Sequence, residues 1–255
     1  MNSLYFDENL AALYKSKSQA IRVQSEDWFM NNMYCPCCGK IRLIKFENNK
    51  PVADFYCERC GEQFELKSTG KFIKNKIVDG AYETAINRVA SNTNPSLFLL
   101  QYEKIFVRNL TLVPKILFTP SIIEKRKPLS LTARRAGWTG SNILYGEIPT
   151  QGKIKIIDEG KIVPVDVVLA EYKKIQRLYV GNIETRGWLL DVLNCINSIR
   201  NDIFSLGDIY AFESLLRKLH PNNNNVKEKI RQQLQFLRDR GFVEFIDNKG
   251  HYKKI

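Results

Sequence analysis

The stretch Pro51-Val52-Ala53-Asp54-Phe55-Tyr56-Cys57-Glu58-Arg59-Cys60-Gly61-Glu62-Gln63-Phe64-Glu65-Leu66-Lys67 interleaves two kinds of metal chemistry. Its centre, Cys57-x-x-Cys60-Gly61, repeats an element found upstream as Cys35-Pro36-Cys37-Cys38-Gly39. In such a turn two thiolates leave neighbouring backbone positions, and the glycine permits the tight bend behind the second sulfur. Cys35, Cys38, Cys57 and Cys60 therefore predict a tetrathiolate Zn²⁺ site. Four protein ligands leave no open position for water or substrate, so the site is structural. Cys37, inside the first turn, is either an alternative ligand or a spare thiol.

On either side of the second cysteine pair, Val52–Tyr56 and Gln63–Lys67 alternate apolar and polar residues, which predicts two strands of one hairpin. Asp54 on the first strand and Glu65 on the second can converge to hold a hard divalent cation through oxygen, with the Leu66 carbonyl available as a further ligand. Such an ion lowers the pKa of water and stabilises charge growing on a phosphate. Lys67, two residues past Glu65, points to the same face and can orient the water or neutralise the phosphate. An acid followed by acid-x-lysine is the P-D…E-x-K pattern of metal-dependent nucleases, with Asp54, Glu65 and Lys67 as the catalytic set. Taken alone it also describes a solvated strand edge with an ion pair. Its weight here comes from the apolar strand around Asp54 and from the zinc loop that ties the hairpin.

Composition agrees with a polyanionic partner. Thirty-nine Lys and Arg against 27 Asp and Glu give a net charge of +12 over 255 residues, and the pI is near 9.4. That balance favours nucleic acid. No apolar run approaches the roughly 18 residues that span a bilayer, so a membrane partner is not expected; the longest clusters, Ser96–Tyr102 and Ile162–Ala170, read as strands or short core segments. The first residues lack a basic stretch followed by an apolar one, so no secretory signal is expected. Six cysteines, four of them in C-x-x-C pairs, fit metal binding in a reducing cytoplasm better than disulfides. Only His220 and His251 are present, which leaves a His-based metal nuclease or Ser/His hydrolase without its base. No G-x-x-x-x-G-K-[ST] occurs, and no nucleotide cofactor is expected.

Helix and strand signals mix through the first 180 or so residues. Residues 19–33 read as an amphipathic helix with Ile21, Val23, Trp28, Phe29 and Met33 inward, and Gly80–Ala90 as another; Ser96–Tyr102, Phe106–Val113 and Lys153–Asp158 read as strands. From Thr185 the pattern becomes three helices, Thr185–Ile199, Leu206–His220 and Val226–Arg240. Phe242–Ile246 and His251–Ile255 then flank the turn Asp247-Asn248-Lys249-Gly250. Three helices and a hairpin is the order of a winged helix. The fold class is thus α/β, a mixed-sheet nuclease-like core with a zinc knuckle over residues 1–183, followed by a winged-helix domain over 184–255 with its own core of Leu189, Leu193, Ile196, Leu215, Ile230, Leu234 and Leu237.

Two segments suit DNA. Lys125–Trp138 reads Lys-Arg-Lys-Pro-Leu-Ser-Leu-Thr-Ala-Arg-Arg-Ala-Gly-Trp. Arg134 and Arg135 can meet guanine edges or phosphates, and Trp138 offers a flat apolar face. A plain solvated charge run is the competing account. The third C-terminal helix carries Lys227, Lys229, Arg231, Gln232, Gln233 and Gln235 opposite Ile230, Leu234 and Leu237. Gln is a natural partner for adenine, and Lys and Arg for phosphate, although an ordinary amphipathic helix has the same pattern.

Together these residues resemble one family, the DpnI-type restriction endonucleases, which cut duplex G-A-T-C when its adenine is N6-methylated. The resemblance runs through Cys-Pro-x-Cys-Gly at 35–39, Phe-Glu-Asn-Asn-x-Pro-Val-Ala-Asp-Phe-Tyr-Cys at 46–57 and Phe-Glu-Leu-Lys-Ser at 64–68. It continues in Asp-Gly-Ala-Tyr at 79–82, Thr-Ala-Arg-Arg-Ala-Gly-Trp at 132–138 and Lys-Glu-Lys-Ile-Arg-Gln-Gln-Leu-Gln at 227–235. It covers the whole chain. It implies a magnesium-dependent nuclease domain with a structural zinc and a C-terminal winged helix, both able to bind double-stranded DNA methylated at adenine in GATC. The family's two catalytic acids and lysine fall on Asp54, Glu65 and Lys67, and its tryptophan beside the methyl groups falls on Trp138. The extra Cys37 is a departure that bears only on the choice of zinc ligands. The competing function is a non-catalytic zinc-ribbon and winged-helix transcription regulator, which would bind DNA without cutting it and would tolerate replacement of Asp54.

Overall fold

The structure, a computed structural model, describes residues 3–47, 53–247 and 250–255. Pro51 and Val52 of the first acid motif, and Asn248 and Lys249 of the predicted wing turn, lie outside the described residues. In chain order the elements begin with α1 (Lys17–Asn32), β1 (Ile44–Lys45), β2 (Phe55–Tyr56), β3 (Gln63–Thr69), β4 (Ile77–Ala81), α2 (Tyr82–Ala90) and β5 (Ser96–Glu103). Next come β6 (Phe106–Val113), β7 (Ile123–Lys125), β8 (Gly140–Ile143), β9 (Ile154–Asp158), β10 (Lys161–Ile162) and α3 (Val165–Gln176). The C-terminal part holds α4 (Ile183–Ser198), β11 (Ile203–Ser205), α5 (Leu206–Tyr210), α6 (Glu213–Leu219), α7 (Val226–Asp239), β12 (Val243–Phe245) and β13 (His251–Lys254). The chain packs as two compact units that do not follow chain order. One is Met1–Lys74 with Ser91–Ile116 and Gln151–Gln176, and the other is Asn75–Ala90 with Leu117–Thr150 and Arg177–Ile255.

The first unit is built on a sheet of order β1-β2-β3-β5-β6-β9-β10. Only β3 and β5 run parallel, so the sheet is mixed. Phe29 of α1 meets Phe55 and Phe98, with ring centroids 4.6 and 4.7 Å away, Phe64 packs on Phe98 at 5.1 Å, and all four are fully buried. This cluster fixes the β2–β3 hairpin against α1. The helix is less apolar on its inner side than its periodicity predicts. Gln24, Ser25 and Glu26 are buried beside Trp28 and Phe29, while Ile21 and Val23 are half-exposed. Ile162–Ala170 also differs from expectation. A two-residue strand ends at Ile162, and α3 follows Pro164, whose carbonyl accepts from the Val168 amide at 3.1 Å. Val168, Tyr172 and Ile175 carry the buried stripe, and its helical period shows only when the run is followed past Ala170.

In the second unit, a sheet of order β4-β8-β7 packs with α2. Its strands went unread in the sequence because Gly140-Ser141-Asn142-Ile143 and Ile123-Glu124-Lys125 are short and lack alternation. The C-terminal part has the helix order of a winged helix, with a three-stranded sheet β11-β13-β12 as the wing. Leu206–His220, expected as one helix, breaks at Ala211–Phe212 into α5 and α6. The break lets Ile209 and Leu216 both be fully buried and turns Leu215 outward, 46% exposed, so Leu215 is not part of the core. Arg186 on α4 is almost completely buried, and its guanidinium donates to the Val180 and Phe118 carbonyls, both at 3.4 Å.

Candidate metal centres and nucleic-acid interface

The two cysteine turns are built alike. The Gly39 amide donates to the Cys35 carbonyl at 2.8 Å and the Gly61 amide to the Cys57 carbonyl at 2.9 Å. Both glycines have φ near +75°, at +75° and +72°, which a side chain would strain. The turns bring Cys35 Sγ to 3.6 Å from Cys60 Sγ and Cys38 Sγ to 3.6 Å from Cys57 Sγ, with all four sulfurs within 4.8 Å. Sulfurs about 2.3 Å from a tetrahedral zinc stand roughly 3.8 Å apart, so the cluster has the dimensions to hold zinc. Cys37 lies outside this group, half-exposed, with its thiol toward Cys35 and the Tyr172 hydroxyl.

The same hairpin positions the acids. The β2–β3 register ends where Phe55 pairs with Phe64, and Asp54 stands just before β2 rather than in the longer strand expected from the sequence. The Asp54 backbone is held from both sides, its amide donating to the Phe64 carbonyl at 2.9 Å and its carbonyl accepting from the Phe46 amide at 2.9 Å. One Asp54 carboxylate oxygen accepts the Leu66 amide at 2.8 Å. Lys67 Nζ lies 2.6 Å from Glu65 Oε1 on the shared face of β3. Burial pushes the Asp54 carboxyl above its ordinary pKa and the Glu26 charge adds to this, while the Leu66 amide, Arg22 and Lys67 work against it. The Lys67 ammonium thus bonds Glu65 and lies near enough to Asp54 for its charge to act there.

Three residues at this place escaped the sequence reading: Arg22, Glu26 and Lys45. Glu26 is 8% exposed and is clamped by Arg22 Nε at 2.6 Å and Lys45 Nζ at 2.7 Å. Burial would raise its pKa, but the bonds from Lys45 and Arg22 outweigh that and hold the carboxyl below the usual range. Arg22 and Glu26 stand at i, i+4 on α1, the spacing of a helical ion pair, with Trp28 and Phe29 close behind. That was the available signal, whereas nothing in the sequence pointed to Lys45. Glu26→Gln is expected to cost about 2 kcal/mol at pH 7, because two cations lose a charged acceptor. A depressed pKa stabilises above the unfolded value and fades in acid. The gap from wild type in urea unfolding should therefore narrow as pH falls below 4.5, the ordinary value for Glu. A gap that stays constant to acid pH would remove the ion pairs as its cause.

Lys125–Trp138, read as a loop, forms the end of the β7–β8 hairpin. The Arg126 amide donates to the Gly140 carbonyl at 3.0 Å and the Leu129 amide to the Trp138 carbonyl at 2.9 Å. Gly137, at φ +76°, turns the chain at the tip. The Arg135 guanidinium sits 4.7 Å from the centroid of the half-exposed Trp138 ring, and Arg134 is exposed. On α7, Lys227, Arg231, Gln232 and Gln235 are exposed and Lys229 is half-buried. Gln233 does not belong with them, since it is fully buried and donates to the Gln232 side chain at 3.3 Å. Lys227 pairs with Glu213 at 3.6 Å, and Arg231 bonds Glu228 and the Tyr210 hydroxyl, both at 3.0 Å. His220 is held by Asp191 at 2.8 Å and stacked on the buried Trp188, while His251 faces Asp247 at 2.9 Å on the wing. No helix among the described residues is long and apolar enough to cross a membrane.

Comparison with protein families agrees with this arrangement of parts. The model of the DpnI Dam-replacing family matches residues 1–180, and that of the Dam-replacing HTH domain matches residues 184–254. With the two matches covering residues 1–180 and 184–254, the chain belongs to the DpnI Dam-replacing family.

Proposed function

We propose that this protein is a type II restriction endonuclease that hydrolyses phosphodiesters of double-stranded DNA at GATC sites carrying N6-methyladenine, with Mg²⁺ as catalytic ion and Zn²⁺ as structural ion. The observation that carries the proposal is the β2–β3 hairpin, in which Asp54 accepts the Leu66 amide at 2.8 Å and Lys67 bonds Glu65 at 2.6 Å. Asp54 and Glu65 would hold Mg²⁺, with the Leu66 carbonyl as a third oxygen donor; oxygen donors suit that hard ion, as four thiolates suit zinc. When bound, the ion supplies Lewis-acid stabilisation of phosphate charge. Lys67 neutralises the phosphate or orients the attacking water, and the Leu66 amide holds Asp54 in place. Glu26, fixed between two cations, adds its charge to the burial that raises the Asp54 carboxyl.

The boundary at 183–184 separates the nuclease domain (1–183) from the winged-helix domain (184–255), in line with the two family matches. Arg134, Arg135 and Trp138 would meet DNA from one hairpin, and Lys227, Lys229, Arg231, Gln232 and Gln235 from α7. Trp138 would read the methyl group. Burying one methyl against the indole rewards a methylated site by about 0.8 kcal/mol. Such a protein would act in the cytoplasm without a nucleotide cofactor. Incubation with Mg²⁺ and plasmid DNA from adenine-methylating and non-methylating hosts tests the proposal. Fragments are expected from the methylated plasmid alone. Binding without cutting in Mg²⁺ would point to a transcription regulator instead.

A further inference from the structure

We propose that Gly140 is a specificity-determining position, a positioning residue whose missing side chain makes the space in which the Trp138 indole sits. The proposal rests on the reading of Trp138 as the methyl-contacting residue. A Cβ built on Gly140 would lie 2.9 Å from Trp138 Cη2 and 3.0 Å from Cζ3, with Arg126 Nη1 at 3.4 Å. Contacts under 3.0 Å cannot persist, so one partner must move. The backbone of Gly140 is held on both sides, because β8 is the central strand of its sheet. Gly140 pairs with Ala81 on one side, and on the other its carbonyl accepts the Arg126 amide at 3.0 Å.

The main chain of Trp138 is held too. Its amide donates to the Arg135 carbonyl at 3.1 Å, and its carbonyl accepts from Leu129 at 2.9 Å. Arg126 can swing away, but the indole is the nearest atom group and can yield only by rotating out from beneath the Arg135 guanidinium. Glycine is not required for the backbone at this point. The left-handed glycines are 39, 61, 137, 160, 241 and 250, and Gly140 is not among them. A glycine in a central strand weakens the strand, so its place here is accounted for by the room it leaves.

The test uses the full chain with zinc and Mg²⁺, and cleaves methylated and unmethylated GATC duplexes in parallel. Gly140→Ala is expected to lower the methylated-to-unmethylated ratio about fourfold per methyl contact, by slowing the methylated substrate alone. Trp28 and Trp188 are buried, at 2% and 0% exposure, so acrylamide quenching reports on Trp138 and should rise in Gly140→Ala. Trp138→Phe lacks the outer ring carbons that meet the new methyl. In that background Gly140→Ala should leave the ratio unchanged. A wild-type ratio in Gly140→Ala overturns the proposal, and so does an equal loss in both backgrounds. An unchanged ratio in Trp138→Ala removes the methyl-reading role itself, and the proposal with it. A loss in Trp138→Ala but not in Gly140→Ala overturns the Gly140 proposal alone. If Gly140→Ala does not fold, recovery of folding in Trp138→Phe/Gly140→Ala supports the proposal and continued unfolding overturns it.

Discussion

Asp54→Asn is expected to lower cleavage of methylated DNA by about 10³-fold or more while leaving duplex affinity within about threefold. Loss of one of two carboxylates removes several kcal/mol of metal-assisted stabilisation of the reacting phosphate. Asn keeps an oxygen that can accept the Leu66 amide, so the hairpin should retain its shape. The same substitution is expected to stabilise the fold in Mg²⁺-free buffer at pH 7. The pKa of Asp54 is raised in the fold, so the folded state accommodates the ionised form less well than the unfolded chain does. That penalty is present above the raised pKa and disappears below pH 3.8, the ordinary value for Asp. The unfolding temperature of Asp54→Asn should therefore exceed that of wild type at pH 7 and converge with it in acid. Cleavage within tenfold of wild type would remove Asp54 from the metal site, and a lower unfolding temperature at pH 7 would contradict the burial argument.

Cys57→Ser is expected to abolish both zinc retention and soluble expression, whereas Cys37→Ser should keep one zinc per chain and normal cleavage. Structural zinc contributes on the order of 10–16 kcal/mol to small zinc-finger folds, which is comparable to the whole stability of a domain. Cys57 follows Tyr56 of β2 and Cys60 precedes β3, so an ion held by these thiolates would close the hairpin that carries Asp54 and Glu65. Elemental analysis after dialysis against Mg²⁺ and a mild chelator distinguishes the two variants. Zinc loss in Cys37→Ser with retention in Cys57→Ser would reverse the assignment made from the sulfur geometry.

The legible parts of this protein are those with local causes. A C-x-x-C-G turn dictates its own geometry, because the glycine and two thiolates are within five residues of one another. Alternation across Phe55–Tyr56 and Gln63–Lys67 places Glu65 and Lys67 on one face without reference to any distant residue. Helical periodicity located α1, α2, α4 and α7 to within a few residues. The reading failed where the cause was distant. Leu215 and Leu216 are equally apolar, and only the break at Ala211–Phe212 decides which is buried. Strands β7 and β8 have almost no pattern of their own and exist because β8 pairs with β4 on one side and with β7 on the other.

The sequence by itself determined the thiolate cluster, the acid hairpin and the winged-helix order, because each rests on spacing within a single element or turn. The tertiary structure alone decided that Glu26 lies buried between Arg22 and Lys45, beside Asp54. It alone decided that the Trp138 indole is bounded by Arg135 and the bare Cα of Gly140. It also decided that residues 75–90 and 117–150 pack with the C-terminal part. Charge burial, ring placement and the grouping of segments depend on which surfaces meet in space, and that pairing is set by packing rather than by any local period.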